Sequence, residues 1–89
     1  MPSLSFTPNI ARHVRTPGEQ VAGATLREAL EAYFRGHPEV RSYVLDDQGC
    51  IRKHVAVFIN GELVVDRHAL SDRLAEGDDI YVMQALSGG

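Results

Sequence analysis

The chain has 89 residues, of which 44% are hydrophobic and 24% charged, and its formal net charge at pH 7 is −3. That length holds one domain, able to bury only about 60–65% of the surface it exposes when unfolded. The acidic balance offers no nucleic-acid footprint, no apolar run approaches the roughly 20 residues of a bilayer span, and Met1-Pro2-Ser3-Leu4-Ser5 lacks the basic and apolar regions of a signal peptide.

In chain order, Leu4-Ser5-Phe6-Thr7 alternates apolar and polar residues and predicts a first strand. Pro8 lacks the amide donor of a central strand position, so the ladder breaks there, and Ile10 and Val14 continue only an irregular apolar trace. Thr16-Pro17-Gly18-Glu19 is a turn signal, with Gln20-Val21-Ala22-Gly23 as the returning strand of a hairpin. Thr25 and Glu28 have capping-box spacing. Leu26, Ala29, Leu30, Tyr33 and Phe34 then form one apolar stripe, with Arg27, Glu28, Glu31 and Arg35 on the other side. The pattern predicts a helix from about Leu26 to Arg35, ended by Gly36 in a left-handed conformation and by Pro38.

Val40, Tyr43, Val44 and Leu45 have no sustained period and are expected to plug the core beneath that helix. Asp46-Asp47-Gln48-Gly49 reads as a turn, Val55-Ala56-Val57-Phe58-Ile59 as a central strand, and Asn60-Gly61 as a tight hairpin into Glu62-Leu63-Val64-Val65. Ala69, Leu70 and Leu74 suggest a short helical turn. Glu76-Gly77-Asp78-Asp79 is an acidic turn before a last strand, Ile80-Tyr81-Val82-Met83. The sum is an α+β domain over residues 1–83: a mixed sheet of four to five strands with one main helix on one face. The first and last strands are expected side by side and parallel.

Residues 84–89, Gln84-Ala85-Leu86-Ser87-Gly88-Gly89, read as a tail. Glycine averages about 7% of residues, so two in succession at a chain end occur by chance in roughly one chain in two hundred. Residues without Cβ thread channels that exclude side chains, and six extended residues reach at most about 20 Å. A carboxylate is a poor electrophile until activated, for example as an acyl-adenylate. The residues therefore point to Gly89 as the reactive group and to the rest as its handle; the competing reading is an idle terminus.

Four stretches together carry a resemblance. They are Gly23-Ala24-Thr25-Leu26-Arg27-Glu28-Ala29-Leu30, Val57-Phe58-Ile59-Asn60-Gly61-Glu62, Leu74-Ala75-Glu76-Gly77-Asp78-Asp79-Ile80 and Gly88-Gly89. In this order and at this length the chain resembles the ubiquitin-like β-grasp sulfur carriers of the MoaD/ThiS type. The resemblance implies that an E1-like enzyme uses ATP and Mg²⁺ to adenylate Gly89. A sulfur donor then makes the thiocarboxylate, and a sulfur-accepting biosynthetic enzyme takes the sulfur. Gly88, Ser87 and Leu86 would thread the tail through those partners. Many members carry prolines before the glycines, and this chain does not. The Asp47-Gln48-Gly49 hairpin and Pro8-Asn9-Ile10-Ala11-Arg12 are similar to the carrier that serves a cysteine synthase, which favours cysteine or another sulfur-containing metabolite over molybdopterin or thiamine thiazole.

Strand alternation adds a docking surface. With Ile80, Val82, Val57 and Ile59 turned to the helix, Phe58, Tyr81 and Met83 face away and form an apolar patch beside the tail; a register slip would bury them instead. Cys50 is the only cysteine, which excludes an internal disulfide and fits a reducing cytoplasm. Cys50 has two readings, a persulfide carrier and a small structural residue, of which the structural one is ordinary. His13, His37, His54 and His68 are dispersed, so no zinc site is expected. Glu76, Asp78 and Asp79 suit an exposed turn or a basic partner surface. No nucleophile–base pair or paired catalytic carboxylates are legible, so the chain is expected to be a substrate of enzymes and not an enzyme. Two other functions stay open: a ubiquitin-like modifier joined to lysines through Gly89, and a plain β-grasp interaction module.

Overall fold

The computed structural model describes residues 1–7 and 17–84. The readings of Pro8, Ile10, Val14, Thr16, His13 and Ala85 to Gly89 lie outside the described residues. Five strands, β1 (Ser3–Phe6), β2 (Glu19–Gln20), β3 (Val55–Ile59), β4 (Glu62–Leu63) and β5 (Asp79–Gln84), form one sheet in the order β2-β1-β5-β3-β4. β1 and β5 are parallel, with Ser3 opposite Asp79 and Phe6 opposite Val82, whereas β1–β2, β3–β4 and β3–β5 are antiparallel. A parallel pair at the two ends of the sequence needs a crossover. The chain between them supplies helices α1 (Leu26–Gly36) and α2 (Pro38–Val44).

α1 forms as its stripe predicts: Leu26, Ala29, Leu30, Tyr33 and Phe34 are all buried. Thr25 caps it by accepting from the Glu28 N–H at 3.3 Å, while Glu28 Oε1 accepts from the Ala24 N–H at 2.8 Å, one residue upstream of the expected reciprocal bond. The next orphan donors of the helix start are met by a distant segment. Leu26 N–H donates to Asp72 O at 2.9 Å and Arg27 N–H to Leu70 O at 3.0 Å. At the core end Tyr33 stacks on His37 with centroids 4.4 Å apart and packs on Phe6 at 5.1 Å. Its hydroxyl donates to Pro17 O at 2.8 Å. Burial, seconded by Glu19 and Glu39, pushes the Tyr33 pKa up to about 12.

Several local expectations are corrected. Tyr43, expected to plug the core, is 37% exposed, and β4 ends at Leu63, short of the exposed Val65. Gly36 is the last helical residue, not a left-handed cap; His37, at φ −139°, closes α1 through bonds from its N–H to Phe34 O and Tyr33 O. Pro38 does not end helical structure but starts α2 at its first position, where a missing N–H costs nothing. Val40 and Val44 are buried one turn apart on it, and a seven-residue helix is too short to show a period in sequence. The returning strand is Glu19–Gln20, because Gly23 is diverted to pack on α1. Residues 67–69 make a turn and no helix, followed by Leu70 at φ 55°. Asp66 organises that loop by accepting from the N–H groups of His68, Ala69 and Ser71 and from the Ser71 hydroxyl. These donors, Ser71 Oγ foremost, hold its carboxyl well below the usual range.

A Cβ at Gly23 would sit 2.6 Å from Ala29 N and 3.0 Å from Ala29 Cα and Glu28 C, all helix backbone. Gly23→Ala is therefore expected to cost roughly 1–3 kcal/mol. Gly36→Ala, with nothing within 4 Å, should be neutral or gain up to about 1 kcal/mol. Urea midpoints of the two variants check this, and a neutral Gly23→Ala would contradict the packing described.

Candidate functional site

The site begins at β5. Ile80 and Val82 are at most 1% exposed, while Tyr81 and Met83 on the alternate face are 37% and 38% exposed. Pairing with β3 sets Tyr81 opposite Phe58 and Met83 opposite Ala56. Facing residues of an antiparallel pair share a face, so Phe58, Tyr81 and Met83 lie together on the side away from α1. Phe58 is half-buried there. Val57, its neighbour in sequence, is fully buried on the other side.

Leu63 belongs to the same patch and was not singled out in the sequence. The Asn60-Gly61 turn, with both residues at positive φ, fixes Ile59 opposite Glu62 and Phe58 opposite Leu63. Counting back from that turn would have found Leu63, which is 57% exposed. An apolar row therefore runs across the strands from Tyr81 through Phe58 to Leu63, with Met83 next to Tyr81 along β5 and Ser5 of β1 beyond Tyr81. β5 continues through Gln84, opposite Val55, and Gln84 N–H reaches Thr7 Oγ1 at 3.4 Å. Leu86, Ser87, Gly88 and Gly89 lie outside the described residues.

The acidic turn sits at the other end of β5, roughly 16 Å from Gln84 at 3.3 Å per residue. Its carboxylates are engaged locally: Glu76 with the Met1 amino group, Asp78 with Ala75 N–H and Asn60 Nδ2, and Asp79 with Ser3 Oγ at 2.5 Å. The Ala75 N–H, then Asn60, holds the Asp78 carboxyl below its ordinary value. The Asp78–Asn60 bond pins the start of β5 to the β3–β4 turn, and the Asp79–Ser3 bond pins it to β1.

Beside the sheet, α1 and α2 are joined through Glu31, which accepts from Arg41 twice at 3.2 Å and from Arg27 at 3.5 Å. The Arg41 bonds draw the Glu31 carboxyl below its usual range. Arg27, expected on the solvent side, also turns its Nη2 to Gly49 O and His68 O, at 2.8 Å each. The two loops so joined bring Cys50 Sγ to 3.3 Å from His68 Nδ1, a contact no sequence spacing suggested. Among the described residues no three His, Cys, Asp or Glu side chains gather as metal ligands, and no helix is long and apolar enough to cross a membrane.

With this geometry in place, comparisons with known proteins are specific. The model of the ThiS family matches residues 11–89. Small archaeal modifier protein 1 of Haloferax volcanii is 36% identical over 66 residues, 74% of this chain and 71% of that protein. The crystal structure of SAMP1 from Haloferax volcanii aligns with a TM-score of 0.77 and 32% identity over 99% of this chain and 98% of that one. The crystal structure of the Amycolatopsis orientalis BexX/CysO complex contains a chain that aligns with a TM-score of 0.83 over all of both chains at 19% identity, a likeness of fold.

The two faces of β3 should respond oppositely to charge. Phe58→Asp is expected to change unfolding free energy by no more than about 1 kcal/mol. Val57→Asp, which buries an unpaired carboxylate, should cost at least about 3 kcal/mol or prevent folding. Denaturant titration of both variants decides it, and comparable losses would mean the patch is part of the core.

Proposed function

The chain belongs to the ThiS family, and from that premise we propose that it is a sulfur carrier whose Gly89 carboxylate is activated and loaded with sulfur. Its fold is the β-grasp of the ubiquitin-like carriers and modifiers. The observation that carries the reading is the placement of β5: the strand that leads into Gly88-Gly89 lies in the middle of the sheet, with the Phe58, Tyr81 and Met83 patch along its outer face. The family match running through Gly89 supports the same reading.

In this reading an E1-like enzyme docks on the patch. A Gly89 carboxylate oxygen attacks the α-phosphorus of ATP, with Mg²⁺ held by that enzyme, and pyrophosphate leaves. A sulfur donor displaces AMP to give the thiocarboxylate. Gly88 and Gly89 give backbone clearance in the narrow active site, while Ser87 and Leu86 thread behind them. A sulfur-accepting biosynthetic enzyme then takes the sulfur, toward cysteine or another sulfur-containing metabolite, in the cytoplasm. The chain is a co-substrate of these enzymes and performs none of the bond changes with its own side chains.

The 36% identity to a protein named as a small modifier favours a second reading, in which activated Gly89 is joined to lysines of other proteins. Both readings use the same activation and part at the acceptor. Lys53 is the only lysine of the chain, so chains of linked copies would have one internal attachment point.

Intact mass after incubation with an activating enzyme of the family, ATP and sulfide tests the proposal. The carrier gains about 16 Da, one oxygen replaced by sulfur at a free carboxylate; the modifier gives a ladder of heavier conjugates with added proteins. Deleting Gly88 and Gly89 should abolish either product, and Phe58→Asp should slow formation. An unchanged mass with an activating enzyme proven active on another carrier would remove both readings.

A further inference from the structure

We infer that Cys50 and His68 form a reactive thiol site, and that the cleft they open into takes a small anionic disulfide with which Cys50 exchanges. The inference does not rest on the chemistry proposed for Gly89.

The pair is set by the fold and not by chance contact of two flexible side chains. Cys50 leaves a turn in which Asp46 Oδ1 accepts from the N–H groups of Gln48 at 2.9 Å and of Cys50 itself at 3.0 Å. His68 stands in the loop that Asp66 gathers. One guanidinium then spans both loops: Arg27 Nη2 donates to Gly49 O, just before Cys50, and to His68 O. Gly49 holds φ +80°, a backbone conformation that favours glycine, and a Cβ there would crowd Arg27 Nη1 at 3.0 Å. Ile51 N–H to Arg67 O at 2.9 Å closes the loops together further along. The outcome is Sγ at 3.3 Å from Nδ1, within range for the imidazole to take the thiol proton.

The pair lines a cleft of about 630 Å³, a size suited to a small molecule. Arg52, Lys53, His54 and Arg67 share its wall. Among the described residues that line it, Asp46 is the one carboxylate, and it turns an oxygen to the two backbone N–H groups already described. Arg52, Lys53 and Arg67 set three positive charges on this wall against that one carboxylate, a balance that attracts carboxylate-bearing molecules. Two ligands do not make a metal site, whereas a thiol beside a base suits exchange with a disulfide. In that step Cys50 Sγ bonds to one sulfur of R–S–S–R as its S–S bond breaks. His68 takes the thiol proton and passes it to the departing thiolate, leaving Cys50–S–S–R and R–SH with electrons balanced.

The test uses the full chain and two colour-releasing probes: dithiobis(nitrobenzoate), which is dianionic, and dithiodipyridine, which is uncharged. The ratio of their rates, anionic over neutral, should be about tenfold higher for the folded chain than for the chain unfolded in urea, and should shrink with salt. His68→Gln should slow both probes alike by about tenfold; a free thiol is a few per cent ionised at pH 7, which caps such an effect near roughly thirtyfold. Lys53→Gln, an exposed change on the rim, should slow only the anionic probe. Equal ratios in folded and unfolded chain, or unchanged rates in a His68→Gln variant whose urea midpoint is retained, would overturn the assignment. If His68→Gln does not fold, the Lys53→Gln comparison decides alone, and equal slowing of both probes counts against the site.

Discussion

β5 is hydrogen-bonded on both sides, parallel to β1 and antiparallel to β3, and the rest of the structure depends on that double attachment. Pairing the first strand of the chain with the last in parallel leaves a crossover that must pass over one face of the sheet. α1 occupies that crossover and brings Leu26, Leu30 and Tyr33 onto Ile80, Val82, Val57 and Leu4 in one core. The same arrangement fixes where the strand's other features go. Its acidic start is tied through Asn60, whose N–H donates to Asp79 O at 2.8 Å and whose Oδ1 accepts from Asp79 N–H at 2.9 Å. Its far end, Gln84, is held between Val55 and Thr7. A strand anchored at both ends and both edges is a firm base from which to offer the residues that follow it.

The two faces of β5 divide the work. Inward residues supply hydrophobic stability, at about 1.5–3 kcal/mol for each fully buried Ile or Val. Outward residues are spared that duty and form an apolar patch with Phe58 and Leu63. Exposed apolar surface of this kind has a cost in solubility that a purely structural face would avoid by using polar residues. Its position along the strand that leads to Gly88-Gly89 gives it a use in the proposed function, as the surface an activating enzyme grips while it works on the chain end.

Features set by local chemistry were legible in the sequence. The stripe of α1, the Thr25 cap, the Asn60-Gly61 hairpin and the alternation of β5 each follow from periods or turn preferences spanning a few residues. What the sequence hid depends on contacts between distant segments. Leu70 at φ 55° is held because its carbonyl caps Arg27 N–H across the molecule. Arg27 reads as a solvent-side helix residue until Gly49 O and His68 O are placed above it. Cys50 and His68 are 18 residues apart and meet because Arg27 and the Ile51 N–H to Arg67 O bond join their loops. Pro38 misled for a different reason: it suits the first turn of a helix as well as the end of one, and the seven residues after His37 carry too short a pattern to choose.

The claim that β5 is the firm base of the molecule has a direct measurement in native-state hydrogen exchange. The amides of Ile80, Tyr81, Val82 and Met83 should exchange only through global unfolding, with opening free energies equal to that from urea titration and the same dependence on urea. Exchange of those amides by local opening, at lower free energy than the amides of Leu30 and Tyr33 in α1, would contradict it.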